Sequence, residues 1–170
     1  MTNLVERLFE RLLPATPVFA HCDIPCGIYD PHEAQIGALT VLRMVQLAND
    51  LAPPGPEGSA EARRDFHAKL ARYTATKEAH AEVVKHQVRV IWGDYFTADM
   101  VKEFPEVNDL VAKILRDASK ARQQFSLEAA NALVADVQKF AEIFWKTKKV
   151  ETKKIPSHQK SGGDLVVPAA

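Results

Sequence analysis

Hydrophobic residues recur at three- and four-residue steps along most of the chain between residues 30 and 150, which predicts amphipathic α-helices. The first helix is predicted to begin at Asp30-Pro31, because aspartate is a good N-cap and proline fits the first helical position. It should run to about Leu51, where a stretch rich in proline and glycine, residues 53–58, ends it. Its predicted buried face is Leu39, Leu42, Val45 and Ala48.

Three further helices follow in the same pattern. Ser59 is a plausible N-cap for a second, unusually long helix that should bend near Trp92-Gly93. Its predicted apolar face is Phe66, Leu70, Tyr73, Ala81, Val84, Val88, Ile91 and Tyr95. Pro105 opens the third helix and Ser126 caps the fourth. Their apolar faces are Leu110, Ile114, Ala118, Ala121 and Phe125, then Leu133, Val137, Phe140 and Phe144.

The order of these elements predicts the fold class. No segment shows the alternating pattern and flanking turns of a strand hairpin. Four long amphipathic helices with short connections predict an all-α protein, an antiparallel up-down four-helix bundle over residues 31–150. The stretch 151–170, rich in lysine, serine and glycine, is predicted to be a flexible C-terminal tail.

The first twenty residues stand apart from the bundle. Leucines and Val5 recur at helical spacing between charged residues, and Pro14 and Pro17 then stop this short amphipathic helix. Val18 and Ala20 resemble the small residues of a signal cleavage site, but charges interrupt the apolar region that a secretory signal needs. Residues 1–20 are therefore better interpreted as a leader removed from a cytoplasmic protein.

Composition and charge narrow the choice of partners. The chain has 170 residues, enough for one domain with a sizeable core. Its 22 basic and 22 acidic side chains cancel, so there is no electrostatic footprint for nucleic acid or an anionic membrane. No apolar run approaches the ~18 residues of a membrane span. We therefore expect neither nucleic acid nor membrane as a partner.

The only two cysteines, Cys22 and Cys26, lie close together in an irregular segment, residues 21–30. They could be unremarkable thiols, a redox pair or two soft metal ligands. His21 beside Cys22 adds an imidazole and favours a metal site. Zinc normally takes four side-chain ligands, and this segment supplies three.

Removal of the leader would complete a different ligand set. His21 would then carry a free terminal amine, next to the backbone nitrogen of Cys22. Together with the thiolates of Cys22 and Cys26, these nitrogens form a planar N2S2 set, which suits Ni(II). The His21 imidazole can approach axially, and Pro25 and Gly27 allow the chain to hook back.

These donors also suggest a redox function. Superoxide disproportionation needs a metal that both accepts and donates an electron at moderate potential. Thiolate and amidate donors raise the electron density on nickel and stabilise Ni(III), so the ligand set would make nickel usable for this reaction.

The segment HCDIPCGIYDP, residues 21–31, closely resembles the nickel hook H-C-x-x-P-C-G-x-Y of nickel superoxide dismutases. Two further stretches resemble the same family. They are KHQVRVIWGDYF, residues 85–96, and IFWKTKK, residues 143–149. The resemblance thus spans roughly residues 21–150.

The resemblance implies a four-helix-bundle subunit, a homohexamer, one nickel ion per subunit and a peptidase that removes the leader. It implies that His21 gives its amine and imidazole, Cys22 its amide nitrogen and thiolate, and Cys26 its thiolate. Tyr29 matches the tyrosine that lies over the open face of the metal and positions small anions or water. Asp23 matches a residue that stabilises the hook.

The chain departs from better-known members at two positions. In those, a glutamate on the first helix and an arginine on the second support the axial imidazole, whereas this chain has Gly37 and His80. Because both partners change together, we hypothesise that His80 lies near His21 and helps to orient it. The alternative is a solvent-facing helical histidine.

Other candidate residues are interpreted as structural. The remaining histidines form no i, i+4 pair with a carboxylate partner and are expected at the surface or in structural roles: His32, His67, His86 and His158. Trp92 and Trp145 are predicted to lie on apolar helix faces, in the core or at subunit contacts. A lysine cluster could attract superoxide, but a solvated helix end is favoured: Lys146, Lys148, Lys149, Lys153 and Lys154.

The favoured function is a superoxide dismutase, an oxidoreductase that converts superoxide to dioxygen and hydrogen peroxide with Ni(II)/Ni(III) cycling. Tyr29, a cysteine thiol and bound water remain open as proton donors. One alternative is a nickel or copper carrier that uses the same chelate without turnover. Another is a bundle-forming interaction protein whose cysteines are incidental.

Overall fold

A computed structural model describes residues 27–169 of the chain. The predicted leader and the candidate hook residues His21, Cys22, Asp23 and Cys26 lie outside the described residues. The elements are α1 (His32–Asn49), α2 (Ala60–Val90), a π-helix (Ile91–Tyr95), α3 (Ala98–Glu103), α4 (Val107–Gln123), α5 (Leu127–Thr147), β1 (Thr152–Pro156) and β2 (Asp164–Pro168). The predicted four-helix bundle is confirmed and consists of α1, α2, α4 and α5.

Local capping fixes where the helices begin. The Ser59 and Ser126 hydroxyls each accept a hydrogen bond from the backbone N–H three residues on, at 3.1 and 3.2 Å, as N-caps do. Both predicted caps are confirmed. Asp30 Oδ1 accepts a 2.7 Å hydrogen bond from the N–H of His32, so α1 begins one residue after the predicted Pro31.

The predicted bend after α2 is a π-helix, Ile91–Tyr95. A π-turn contains more residues than an α-turn, so side chains after Val90 leave the phase of the preceding face. Trp92 is consequently 40% exposed, and its Nε1 donates to Asn108 Oδ1 at 2.9 Å. Trp92 therefore lies outside the core of the subunit, so the core interpretation is wrong for it and the subunit-contact interpretation stays a prediction. Trp145 is half-buried against the core.

The core follows the predicted faces closely. Nearly all of the residues predicted on the faces of α1, α4 and α5, and on the C-terminal half of α2, are buried. The exceptions are Ala48 and Tyr95, which are half-buried, and Phe125, which is 38% exposed. Phe125 leaves its predicted face because α4 ends at Gln123.

Lys77 donates hydrogen bonds to backbone carbonyl groups at the C-terminal end of α4. Its side chain is only 1% exposed, and its Nζ lies 4.1 Å from the ring centroid of Phe125. Nζ donates hydrogen bonds to the carbonyl oxygens of Ala121, Arg122 and Gln124 at 3.0, 2.7 and 2.9 Å. These are carbonyls that the end of a helix would otherwise leave unpaired. Burial lowers the pKa of the Lys77 amine.

The first half of α2 is less covered than the second. α1 has 18 residues and α2 has 31, so the start of α2 extends beyond its partner. Phe66, Leu70 and Tyr73 on this overhang are only half-buried. The overhang therefore presents apolar surface at one end of the bundle.

The predicted flexible tail is wrong for residues 152–168, which form an antiparallel hairpin. Thr152 pairs with Pro168 at one end of the β1–β2 ladder and Pro156 with Asp164 at the other. Leu165 and Val166 are buried, at 7% and 2% exposure. The hairpin is ordered by packing on α1 and α5, a tertiary effect that the sequence pattern of the segment itself does not display.

Gly37 lets α1 and α2 approach closely. A Cβ at this position would lie 3.0 Å from Val84 Cγ2 and 3.3 Å from the carbonyl oxygen of His80. We expect Gly37→Ala to lower the free energy of unfolding by about 1 kcal/mol, because crowding outweighs the better helix propensity of alanine. Gly93→Ala is the matched control, since nothing lies within 4 Å of its added Cβ. Denaturant unfolding of both variants measures the difference, and equal stabilities would contradict this account of Gly37.

Candidate metal centre

Three segments that are distant in sequence meet at one end of the bundle. The Tyr29 ring lies 5.6 Å from the Tyr95 ring, centroid to centroid. Tyr95 in turn lies 4.9 Å from Phe144, which is 5.1 Å from Trp145. We call these four residues the aromatic cluster. Its members come from the hook, from residues 85–96 and from residues 143–149, the three stretches that resemble one family.

The chain enters this cluster through Gly27, which has φ +70°. Glycine adopts such angles without the steric penalty of other residues, which explains why it follows Cys26. Ile28 is 84% exposed, while Tyr29 is half-buried against the cluster and Pro31 is buried. The end of the hook is therefore anchored to the bundle at Tyr29 and Pro31.

Hydrogen bonds hold Tyr95 in place. Its hydroxyl lies 2.7 Å from Thr147 Oγ1, and Thr147 Oγ1 donates to the carbonyl oxygen of Phe144 at 2.6 Å. A threonine hydroxyl has one proton, and the carbonyl can only accept it. Tyr95 must therefore donate its own hydroxyl proton to Thr147 Oγ1. This hydrogen bond fixes the ring that supports Tyr29, and the Tyr95 proton is not available to another acceptor.

One lysine of the predicted basic cluster lies on these rings. Lys148 Nζ is 4.9 Å from the centroid of Phe144, 5.4 Å from that of Tyr95 and 5.8 Å from that of Trp145, within range of cation–π attraction. The other lysines spread over the helix end and the hairpin, where Lys154 pairs with Glu142 at 3.3 Å. Among residues 27–169, Lys148 thus places a positive charge over the Tyr95 ring that supports Tyr29, and a cation there attracts small anions.

His80 is half-buried on α2. Its Nδ1 lies 2.9 Å from the carbonyl oxygen of Thr76, and since a carbonyl only accepts, Nδ1 carries the proton. In the neutral ring, Nε2 is then an acceptor. The His80 carbonyl faces Gly37, so these two positions are neighbours across α1 and α2. The hypothesised proximity to His21 lies outside the described residues.

The other histidines are exposed, as expected: His32, His67, His86 and His158. Within residues 27–169, no group of three or more histidine, cysteine, aspartate or glutamate side chains could hold a metal ion. In the same part of the chain, no helix combines the length and the apolar character needed to cross a membrane. The donor set of His21, Cys22 and Cys26 fits nickel by its chemistry, since thiolates, imidazole and backbone nitrogen are donors that this metal accepts.

Comparison with known proteins identifies the family. The family model for nickel-containing superoxide dismutases matches residues 16–148. The chain belongs to this family. Two curated relatives, the nickel superoxide dismutases of Streptomyces seoulensis and Streptomyces coelicolor, are 33% and 34% identical over 148 residues. Each alignment covers 86% of this chain and 99% of the relative.

Solved structures of nickel superoxide dismutase have the same fold. The native structure matches with a TM-score of 0.62 and 32% identity, covering 75% of this chain and 99% of that chain. A structure with nickel ligation corresponding to the oxidised state matches with a TM-score of 0.63 and 31% identity, covering 76% of this chain and 99% of that chain. The protein is therefore a nickel superoxide dismutase, an oxidoreductase with a nickel cofactor, and the carrier and interaction-protein alternatives are not favoured.

Sequence reasoning found Tyr29 but not its surroundings in this nickel superoxide dismutase. Tyr95 was predicted only as an apolar helix position, and Phe144 only as core. The two stretches that contain them did resemble the family, and this resemblance is the signal that could have placed them beside the hook. Periodicity alone could not do so, because it says nothing about which helix ends meet.

Proposed function

We propose that His21, Cys22 and Cys26 hold one nickel ion per subunit, and that superoxide reaches it on the side covered by Tyr29. The observation that carries this proposal is the position of Tyr29, at the end of the hook and with its ring centroid 5.6 Å from that of Tyr95. The terminal amine and imidazole of His21, the amide nitrogen and thiolate of Cys22 and the thiolate of Cys26 would be the donors. Bound nickel supplies one-electron chemistry between Ni(II) and Ni(III).

The chain's own residues prepare the approach of the substrate. Tyr95 fixes the Tyr29 ring, so the Tyr29 hydroxyl can orient a small anion or a water molecule over the open face of the site. Lys148 draws superoxide toward the aromatic cluster by its charge. Asp23 stabilises the hook. Because the Tyr95 proton is committed to Thr147, Tyr29, a cysteine thiol and water remain the candidate proton donors.

Metal analysis and a superoxide-consumption assay on the purified protein test the ligand assignment. Cys22→Ser and Cys26→Ser are each expected to abolish nickel-dependent activity, because a hydroxyl is a poor donor for this metal. Tyr29→Phe is the matched control, because it changes a hook residue that is not a ligand. This variant keeps the three ligands and should keep the nickel. Stoichiometric nickel in Cys26→Ser protein would refute the assignment.

The proposed maturation removes residues 1–20 by a peptidase in the cytoplasm and exposes the His21 amine. The charges within the leader support this, because they interrupt the apolar stretch of a secretory signal. Intact mass spectrometry of protein purified from its native host reports the N-terminus directly. A first residue other than His21 would contradict the proposal.

The proposed assembly is a homohexamer. The family resemblance supports it, as does apolar surface exposed at the bundle ends. Ile28 is 84% and Trp92 40% exposed, and the α2 overhang is half-buried. Such surface commonly marks contacts between subunits. Native mass spectrometry should give a mass six times that of the processed chain, and a monomer at micromolar concentration would contradict it.

His80 is proposed to accept a hydrogen bond from the His21 imidazole. Its Nδ1–H is engaged with Thr76, which leaves Nε2 as the acceptor that a metal-bound histidine usually requires for its second nitrogen. Loss of such a partner typically lowers metal affinity or activity by about 10- to 100-fold. We expect His80→Gln to lower activity by about tenfold and to change the Ni(III) electron paramagnetic resonance spectrum.

The exposed His67 provides the control for His80. His67→Gln removes the same chemical group from the same helix and should leave both activity and spectrum as in the wild type. If His80→Gln also left them unchanged, His80 would be a helical surface histidine without a role at the metal.

A further inference from the structure

The C-terminal hairpin lies beyond residues 16–148, the part of the chain that the family model matches. It nevertheless packs against the rest of the subunit, because Leu165 and Val166 are buried, with 7% and 2% exposure. β2 packs on both α5 and α1. The hairpin therefore adds contacts to the helix that directly follows the hook.

The central contact is made by Gln35, which is 3% exposed. Its Nε2 donates to the carbonyl oxygen of Val166 at 3.0 Å, and its Oε1 accepts from the N–H of Val166 at 2.7 Å. The side-chain amide thus pairs with both backbone groups of one strand residue, as a neighbouring strand would. A paired geometry of this kind fixes direction as well as distance.

Gln35 also belongs to the first turn of α1. Its backbone N–H donates to the carbonyl oxygen of Pro31 at 3.1 Å. Pro31 is buried, and two residues before it Tyr29 packs on the aromatic cluster. A continuous path of close contacts therefore runs from β2 through Gln35 and Pro31 to the end of the hook.

Two further side-chain hydrogen bonds hold the hairpin at other places. Gln46 Nε2 donates to the carbonyl oxygen of Ser161 at 3.0 Å, near the far end of α1. Gln138 Nε2 donates to the carbonyl oxygen of Asp164 at 2.8 Å from α5. These bonds hold the hairpin loop and strand, but they do not touch the first turn of α1.

We propose that the C-terminal hairpin is a clamp on the first turn of α1, with Gln35 as a positioning residue for the nickel hook. The clamp holds Pro31, where the chain leaves the metal site, in one place, so the C-terminal end of the hook is fixed to the bundle. This inference rests on the proposed ligand assignment of His21, Cys22 and Cys26.

The test compares Gln35→Met with Gln46→Met in the full chain expressed in its native host, so that processing can occur. Methionine has a similar volume and no amide, and the two glutamines serve the same hairpin from opposite ends of α1. In Gln35→Met, hydrogen exchange of the backbone amides of residues 32–36 in the metal-free protein should accelerate by about tenfold or more. Nickel affinity, measured by competition with a chelator, should fall by about tenfold.

Gln46→Met should loosen the hairpin loop without either effect. Circular dichroism confirms that both variants fold. Wild-type exchange and nickel affinity in Gln35→Met would overturn the inference, and so would an equal loss of affinity in both variants, which would indicate general destabilisation. Nickel binding by Cys26→Ser would instead refute the ligand assignment, while the exchange result for Gln35→Met would still report on the clamp.

Discussion

Protein that retains residues 1–20 is expected to bind nickel on the order of 100-fold more weakly than the processed chain and to lack superoxide dismutase activity. In the uncut chain, the nitrogen of His21 is part of a peptide bond, so its lone pair is delocalised and it is not an amine donor. Nickel content and superoxide consumption are measured on the same preparation before and after a protease cuts at a site engineered directly before His21.

A shortened leader distinguishes the chemical effect of the His21 peptide bond from steric blocking by a long leader. A chain that begins at Ala20 keeps one residue before His21 and should be as inactive as the full leader, because the His21 nitrogen is still an amide. Graded recovery as the leader is shortened would point to steric blocking instead. Full activity in protein whose N-terminus is confirmed as Met1 would contradict the role of the terminal amine altogether.

Lys77→Met is expected to lower the free energy of unfolding by about 2–4 kcal/mol. Methionine can fill the space beside Phe125, but it cannot donate to the carbonyl oxygens of Ala121, Arg122 and Gln124, all within 3.0 Å of Lys77 Nζ. The end of α4 then has unpaired carbonyl groups, of which that of Ala121 is buried and those of Arg122 and Gln124 are partly buried. Denaturant unfolding at one fixed protein concentration measures the change, because the stability of an oligomer depends on concentration.

Lys69 on the same helix is the control for this substitution. Its amine bonds only to the exposed Asp65 in the described structure, at 2.6 Å. Exposed pairs of this kind contribute little, so Lys69→Met should unfold like the wild type. If Lys77→Met were equally unaffected, the three carbonyls would have found water and the buried amine would not be a structural cap.

The bundle was predictable because its determinants are local. Ser59 and Ser126 cap the helices that follow them, and the spacing of apolar residues shows which face of each helix is buried. The π-helix was partly predictable, since the second helix is too long and contains Gly93. Its effect on Trp92 was not, because the phase shift depends on how the chain leaves α2.

The hairpin could not be predicted in the same way. Its anchor, Gln35, lies 131 positions before Val166, and nothing in the local pattern of either residue indicates the other. The Gly162-Gly163 pair is a turn signal, and after Asp164 the sequence Leu165-Val166-Val167 is a short apolar run. These signals were too brief to outweigh the lysines and prolines around them.

The candidate site also has a part that the local sequence predicts and a part that depends on the packing of distant segments. The donors His21, Cys22 and Cys26 are consecutive or nearly so, and their spacing predicts a chelate without any knowledge of the fold. The supporting rings of Tyr95 and Phe144 come from separate helices, and only the packed structure brings them to Tyr29. The metal ligands could therefore be predicted from the sequence, whereas the aromatic residues that surround them could not.

The close contact at Gly37 also couples this position to Val84. Any side chain at position 37 would place its Cβ 3.0 Å from Val84 Cγ2 and 3.3 Å from the carbonyl oxygen of His80. A residue larger than alanine adds further atoms to that contact, so we expect Gly37→Glu to destabilise the bundle less when it is combined with Val84→Ala. The energetic effects of substitutions at positions 37 and 84 are therefore expected to be non-additive.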